Sequence, residues 1–181
     1  MHPRTEELLS HLRDARAELA RAVAGVPAER RRDKPAPDQW SVAEILEHLS
    51  IVEARIADMV ARDVAAAKAA GLARETSQEP VLITVDVEGL KDRTIKRVAG
   101  ETSQPTGSLG ADDAWTKLAD TRAALESALR EGDGWALDTL FQPHHRLGPM
   151  NMYQWIGFAG AHELRHAAQI VEVGKRLTAN G

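Results

Sequence analysis

The chain has no cysteine among its 181 residues. That absence removes disulfides, a thiolate metal site and a cysteine nucleophile together, and it fits a reducing compartment. No basic run is longer than Arg30-Arg31-Arg32, and the formal net charge is -4. Phosphate backbones need a concentrated basic face, so nucleic acid is not the expected partner. No apolar run approaches the roughly 20 residues that span a bilayer. The opening Met1-His2-Pro3-Arg4-Thr5-Glu6-Glu7 is too polar for a secretory signal. A soluble cytoplasmic protein with no membrane partner is expected.

What is present suits one domain over residues 1–181, because 43% hydrophobic residues suffice for one sizeable core. Four stretches carry helical periodicity. The first runs from about Arg4 to Val26, with Leu8, Leu12, Ala15, Leu19, Ala22 and Val26 on one stripe. The second starts at Ser41 with Glu44 three residues on, a capping box, and Trp40 can staple the entry onto Ile45. Its stripe is Ile45, Leu49, Val52, Ile56 and Met59, and Gly71 should stop it after Ala70. The third spans about Asp112 to Arg130. The fourth begins near Pro149, a favourable first-turn residue, and reaches about Leu177. Residues 72–110 form a long connector in which 81–87 is β-prone and Leu90–Val98 can add a short helix. A connector of that length is expected to cross the helices and cover part of a site. The predicted fold is all-α, an up-down four-helix bundle with a long irregular connector between helices two and three.

Of the seven histidines, His48, His162 and His166 lie within predicted helices. His162 and His166 are one turn apart and share the face of Met152, Trp155, Ala159 and Ile170, so both point inward. Two imidazoles at this spacing can converge on one cation. His48 sits at the edge of the second helix's stripe, where a lone histidine is more often a hydrogen-bonded core residue. Burying all three without a ligand would cost desolvation, which favours a metal if they converge. His162-Glu163-Leu164-Arg165-His166 also fits the HExxH pattern of metalloproteases. The protease reading fails because no histidine follows Gln169, and Glu172 is too close to swing round from a separate helix. A third ligand must come from upstream, which points again to His48.

The stretch from Gln39 to Leu49, Gln-Trp-Ser-Val-Ala-Glu-Ile-Leu-Glu-His-Leu, resembles the opening motif of the DinB/YfiT-like superfamily. The stretch Pro143–Ile170, especially Leu147-Gly148-Pro149-Met150-Asn151-Met152 and the run from His162 to Ile170, resembles its closing motif. The resemblance implies a four-helix bundle with a histidine triad binding zinc, nickel or a similar ion. The family's first ligand matches His48 and its helical pair matches His162 and His166. Its members include transferases joining bacillithiol or mycothiol to an electrophile, a mycothiol-dependent isomerase and proteins classed as metal-dependent hydrolases. Many are dimers, so a homodimer acting on a small molecule is implied.

The leading expectation is therefore metal-assisted transfer of a low-molecular-weight thiol, with the metal lowering the thiol pKa. Arg122 occupies a stripe position between Leu118 and Leu125. It can hold a carboxylate of the thiol or substrate, or snorkel from the stripe edge. Glu163 can serve as general base or as a histidine's hydrogen-bond partner, or form a surface ion pair. His144 and His145 can line the mouth of the site. The alternatives are hydrolysis by metal-bound hydroxide and a non-catalytic metal-stabilised bundle, whose mark would be a fourth protein ligand such as Glu163 or His145.

Overall fold

The computed structural model describes residues 1–94 and 98–179. It is predominantly helical. Four long helices, α1 (Pro3–Ala24), α2 (Val42–Ala69), α4 (Ala111–Glu131) and α5 (Met152–Ala179), carry the core, and a short α3 (Val87–Lys91) lies between α2 and α4. Helix α1 packs mainly on α5 and α2 on α4, while α2 also meets α5 and α3 lies on α5. Among the described residues, no helix is long and apolar enough to cross a membrane.

The helix ends follow local chemistry. Ser41 Oγ accepts from the Glu44 amide and the Glu44 carboxylate accepts from the Ser41 amide, the expected capping box. At the other end of α2, Gly71 adopts φ +88°, and the Leu72 amide reaches back to the Ala67 carbonyl. His2 caps α1 by accepting from the Arg4 amide at 3.3 Å, so this histidine has a local structural role that the sequence reading did not give it.

The expected start of the last helix is corrected. Pro149 lies in a strand, and α5 begins three residues later at Met152. Asn151 and Gln154 exchange side-chain-to-amide hydrogen bonds of 2.9 and 3.0 Å, a second capping box. The residues before it form a hairpin, β1 (Phe141–His144) with β2 (Gly148–Asn151), so the all-α expectation needs a small antiparallel sheet added. Gly148 at φ +77° lets a three-residue turn close it. The β-prone stretch at 81–87 forms no strand: Leu82–Thr84 is a 3-10 turn and Val87 opens α3. The short helix expected over Leu90–Val98 is displaced to Val87–Lys91, and residues 95–97 lie outside the described residues.

The apolar core is split into two clusters. One holds Leu8, Leu12, Ile56, Leu125 and Ala161, and the other holds Leu19, Leu49, Leu118 and Ala167. On every long helix the switch between them falls at polar residues: Arg16 on α1, Glu53 on α2, Arg122 on α4, and His162, Glu163 and His166 on α5. A polar layer therefore crosses the middle of the helical core. Helices α1 and α5 can approach closely there because Gly160 has no side chain; a Cβ on it would lie 2.4 Å from His11 Nε2. His11 Nε2 also lies 3.0 Å from the Gly157 carbonyl, so this histidine tethers α1 to α5.

Ser41→Ala removes one half of the capping box and should cost about 1 kcal/mol. Urea unfolding should show a lower midpoint with an unchanged slope; an unchanged midpoint would show that the cap contributes nothing.

Candidate metal centre

His48 comes from α2, one turn after the buried Glu44, and His162 and His166 come from successive turns of α5. Their ring nitrogens converge. His48 Nε2 and His162 Nε2 are 3.3 Å apart, and His166 Nε2 and His162 Nε2 are 3.1 Å apart. Three nitrogens each about 2.0–2.1 Å from a tetrahedral ion would lie about 3.3–3.4 Å from one another. The side chains are thus pre-set at ligand spacing, and these three form a candidate metal site.

The outer nitrogens reinforce this fit. His48 Nδ1 is 2.7 Å from the Ser103 carbonyl, an oxygen that can only accept, so Nδ1 carries the proton and the Nε2 lone pair faces its neighbours. His166 Nδ1 is 2.8 Å from Gln169 Oε1, which fixes the same tautomer. A single Nε2–H on His162 can satisfy only one of those two lone pairs. A cation satisfies all three, with the Ser103 and Gln169 oxygens orienting two of the rings.

Burial disfavours charge on these rings. It holds His48 and His166 below the ordinary imidazole range and pushes His162 down to about 3, with neighbouring positive groups adding to the effect for His162 and His166. Neutral imidazole is the metal-binding form, so the pocket keeps these three rings in that form at neutral pH.

All three rings line one cavity of about 810 Å³. Its wall beside His162 is aromatic: Phe158 stacks on His162 at 5.4 Å, and His144 lies 5.1 Å from Phe158 and 4.6 Å from His145. The hairpin holds His144 there. Trp155 Nε1 donates to the Gln142 carbonyl, and the Gln142 amide donates to Asp63 on α2. The expected position of His144 and His145 at the cavity wall therefore agrees with the structure. The connector covers the opposite side, with Ser103 on His48 and Arg55 bonded to Thr102.

Arg122 and Glu163 lie elsewhere. Both point into the polar layer and neither lines the cavity. Arg122 Nε donates to Glu53, its Nη1 donates to the Leu12 carbonyl at 2.7 Å, and its Nη2 lies 2.9 Å from Glu163 Oε2. Arg16 Nε donates to Glu163 Oε1 at 2.9 Å. Two guanidinium groups and two carboxylates thus neutralise one another, with one member from each long helix. Burial alone would lower the Arg122 pKa, but the two carboxylates reverse the shift and raise it. Burial raises the Glu53 carboxyl despite Arg122 beside it. Arg122 does not snorkel, and the ion pair of Glu163 is internal rather than at the surface. Glu172, passed over as a ligand, pairs with Arg93 at 2.8 and 2.9 Å.

The Ser103 and Gln169 contacts escaped the sequence reading. Gln169 carried a signal, one turn after His166 on the same helix. Ser103 acts through its backbone carbonyl, which no side-chain pattern reveals.

A mainly helical chain with three converging histidines on a cavity defines a class of candidate metal-centred helical protein. Residues 11–170 match the DinB superfamily, and the chain belongs to it. It is 25% identical over 170 residues to the uncharacterized protein YuaE of Bacillus subtilis, covering 93% of this chain and 98% of that one. No solved structure matches the chain in a search of known folds.

Arg122→Ala would leave Glu53 and Glu163 buried with half their counter-charge. Loss of a buried partner of this kind costs about 3–5 kcal/mol, read as a large fall in the urea midpoint.

The metal-free protein should also lose stability on acidification. Unfolded imidazoles titrate near 6.5, whereas those of the folded triad titrate lower. As pH falls below about 6.5, the unfolded chain gains protons that the folded chain refuses, so stability drops from there towards pH 3. Chelated protein should show a lower urea midpoint at pH 5 than at pH 7.5, with the difference reduced in His162→Asn; equal pH dependence in both proteins would refute the assignment.

Proposed function

We propose that the chain is a single-domain divalent-metal protein, with His48, His162 and His166 as ligands, that joins a low-molecular-weight thiol to an electrophilic small molecule. The carrying observation is that three preset imidazoles face a cavity large enough for a cofactor-sized thiol and a second molecule. Zinc and nickel suit this nitrogen donor set. When bound, such an ion supplies a Lewis-acid position that lowers the pKa of a thiol.

The chain's own residues supply positioning and exclusion. Ser103 and Gln169 orient the His48 and His166 rings. Phe158, Trp155 and Met59 give the cavity apolar walls that keep bulk water from a reacting thiol. Glu163 and Arg122 act as positioning residues: Glu163 follows His162 directly, and its carboxylate is clamped by Arg16 and Arg122, which fixes the rotation of α5 about its axis. With Glu163 so engaged, the ligand group among the described residues is the three histidines alone, which favours an open reaction position over a closed structural site. The helices are read as the up-down four-helix bundle of the superfamily, acting as a cytoplasmic homodimer.

Two measurements test the reading. Protein purified without chelator should hold close to one zinc or nickel per chain, and His48→Ala should lose most of it; equal metal in both removes His48 from the site. Metal-loaded protein should conjugate bacillithiol or mycothiol to monochlorobimane. Absence of conjugation under every metal loading overturns thiol transfer, and turnover of an ester or amide panel in its place would assign metal-dependent hydrolysis.

A further inference from the structure

The charge on the cavity wall is opposite to that of the chain. The whole chain is acidic, with a formal charge of -4. Yet among the described residues the cavity is lined by five arginines (Arg55, Arg93, Arg146, Arg165 and Arg176) against two acids, Asp38 and Glu172. Glu172 is engaged by Arg93 through both oxygens.

Three of these arginines, Arg55, Arg146 and Arg176, are exposed, and each comes from a different element: α2, the hairpin turn and the end of α5. Their hydrogen-bond partners are neutral. Arg55 donates to Thr102 through its hydroxyl and carbonyl, Arg146 donates to the Val98 carbonyl at 2.6 Å, and Arg176 donates to Gln39 Oε1 at 2.6 Å. Among the described residues, no carboxylate lies within ion-pair distance of any of the three, although Arg176 acts on Glu172 from farther off and helps lower its pKa. A guanidinium carries five N–H donors in a planar fork that matches an oxyanion. The bonds present occupy one or two donors of each of these three forks, and all three residues line the cavity.

The wall is also tied to the histidines. Arg55 follows His48 by seven residues, two helical turns, and therefore projects from the same side of α2. Its anchor, Thr102, precedes Ser103, whose carbonyl orients His48. A ligand held by Arg55 thus sits against the segment that shapes the candidate metal centre.

We propose that the cavity selects small molecules bearing an oxyanion, a carboxylate or a phosphate, held by Arg55, Arg146 and Arg176 while the reacting end meets the histidine triad. This assignment rests on the reading of the cavity as a substrate site, but not on the reaction performed there. The carboxylate-binding role that the sequence suggested for Arg122 passes to these three residues, because Arg122 is neutralised inside the core.

The test uses the full chain in both metal-free and zinc-loaded forms, so that anion coordination to the ion is separated from binding by arginine. Succinate, inorganic phosphate and neutral succinamide are titrated by calorimetry at low salt, into wild type and into R55Q, R146Q, R176Q and the triple variant. The expected result is that succinate or phosphate binds the metal-free wild type, succinamide does not, and affinity falls about tenfold in at least one single variant and further in the triple. Succinate and phosphate distinguish the two sources of the oxyanion. Metal content and circular dichroism, read on each variant, separate loss of an arginine contact from loss of the connector segment that Arg55 anchors. Failure of both anions to bind the metal-free wild type, equal binding of succinamide, or undiminished affinity in the triple variant overturns the proposal. Each of those results leaves thiol conjugation by the metal-loaded enzyme to be judged separately. Conversely, loss of metal binding in His48→Ala with anion binding retained would leave the arginine wall standing.

Discussion

The quartet of half-buried Arg16 with buried Glu53, Arg122 and Glu163 is the constraint on which the rest of the architecture depends. Each long helix contributes one member, and each lies where its helix passes from one apolar cluster to the other. Such a set adds little net stability over well-packed hydrophobic residues. Its effect is on register. Apolar side chains tolerate small slides and rotations, but three buried charged groups and half-buried Arg16 are satisfied together only at one alignment. A slide of α5 against α1 or α4 would strand Glu163 as a buried, unpaired carboxylate.

That alignment also places the histidines. His162 precedes Glu163, and the two leave α5 about 100° apart, so fixing one direction fixes the other. On α2, His48 and Glu53 are five residues apart and diverge in the same way. The neutral charge cluster and the candidate metal centre are thus two sides of one polar layer. One side is closed by ion pairs, and the other opens on the cavity. Each protects the apolar clusters above and below it from unpaired polar groups.

The non-helical segments finish the site. The connector supplies the Ser103 carbonyl, and buried Glu47 ties it to α2 by accepting from the amides of Thr106 and Gly107 at 3.0 Å. The hairpin adds His144 to the aromatic wall, and its turn adds the exposed Arg146 to the cavity lining. Among the described residues, neither segment is held by a regular hydrogen-bond ladder to the helices. Both are pinned by single side chains such as Arg4, Glu47, Arg55 and Trp155. In the proposed substrate site the helices carry the candidate ligands, and loops line the space around them.

The sequence by itself determined the four long helices, the α2 capping box and the convergence of His162 with His166. These are local facts, set by a period of 3.6 residues and by hydrogen bonds spanning three or four positions. It also brought His48 forward, through a motif rather than through spacing. The hairpin was hidden because Pro149 suits a helix's first turn as well as an edge strand, and the Asn151–Gln154 box that starts α5 was overlooked. Only the tertiary structure decided the roles of Arg122 and Glu163. A charged residue on an apolar stripe can face a substrate, solvent or a counter-charge on another helix, and the choice depends on Arg16 and Glu53, which are remote in sequence. The same holds for Ser103, which acts through its backbone, and for the arginine wall, whose members come from three elements with no common spacing. Electrostatic partnership over such separations is a property of packing, and packing is fixed only when the whole chain has folded.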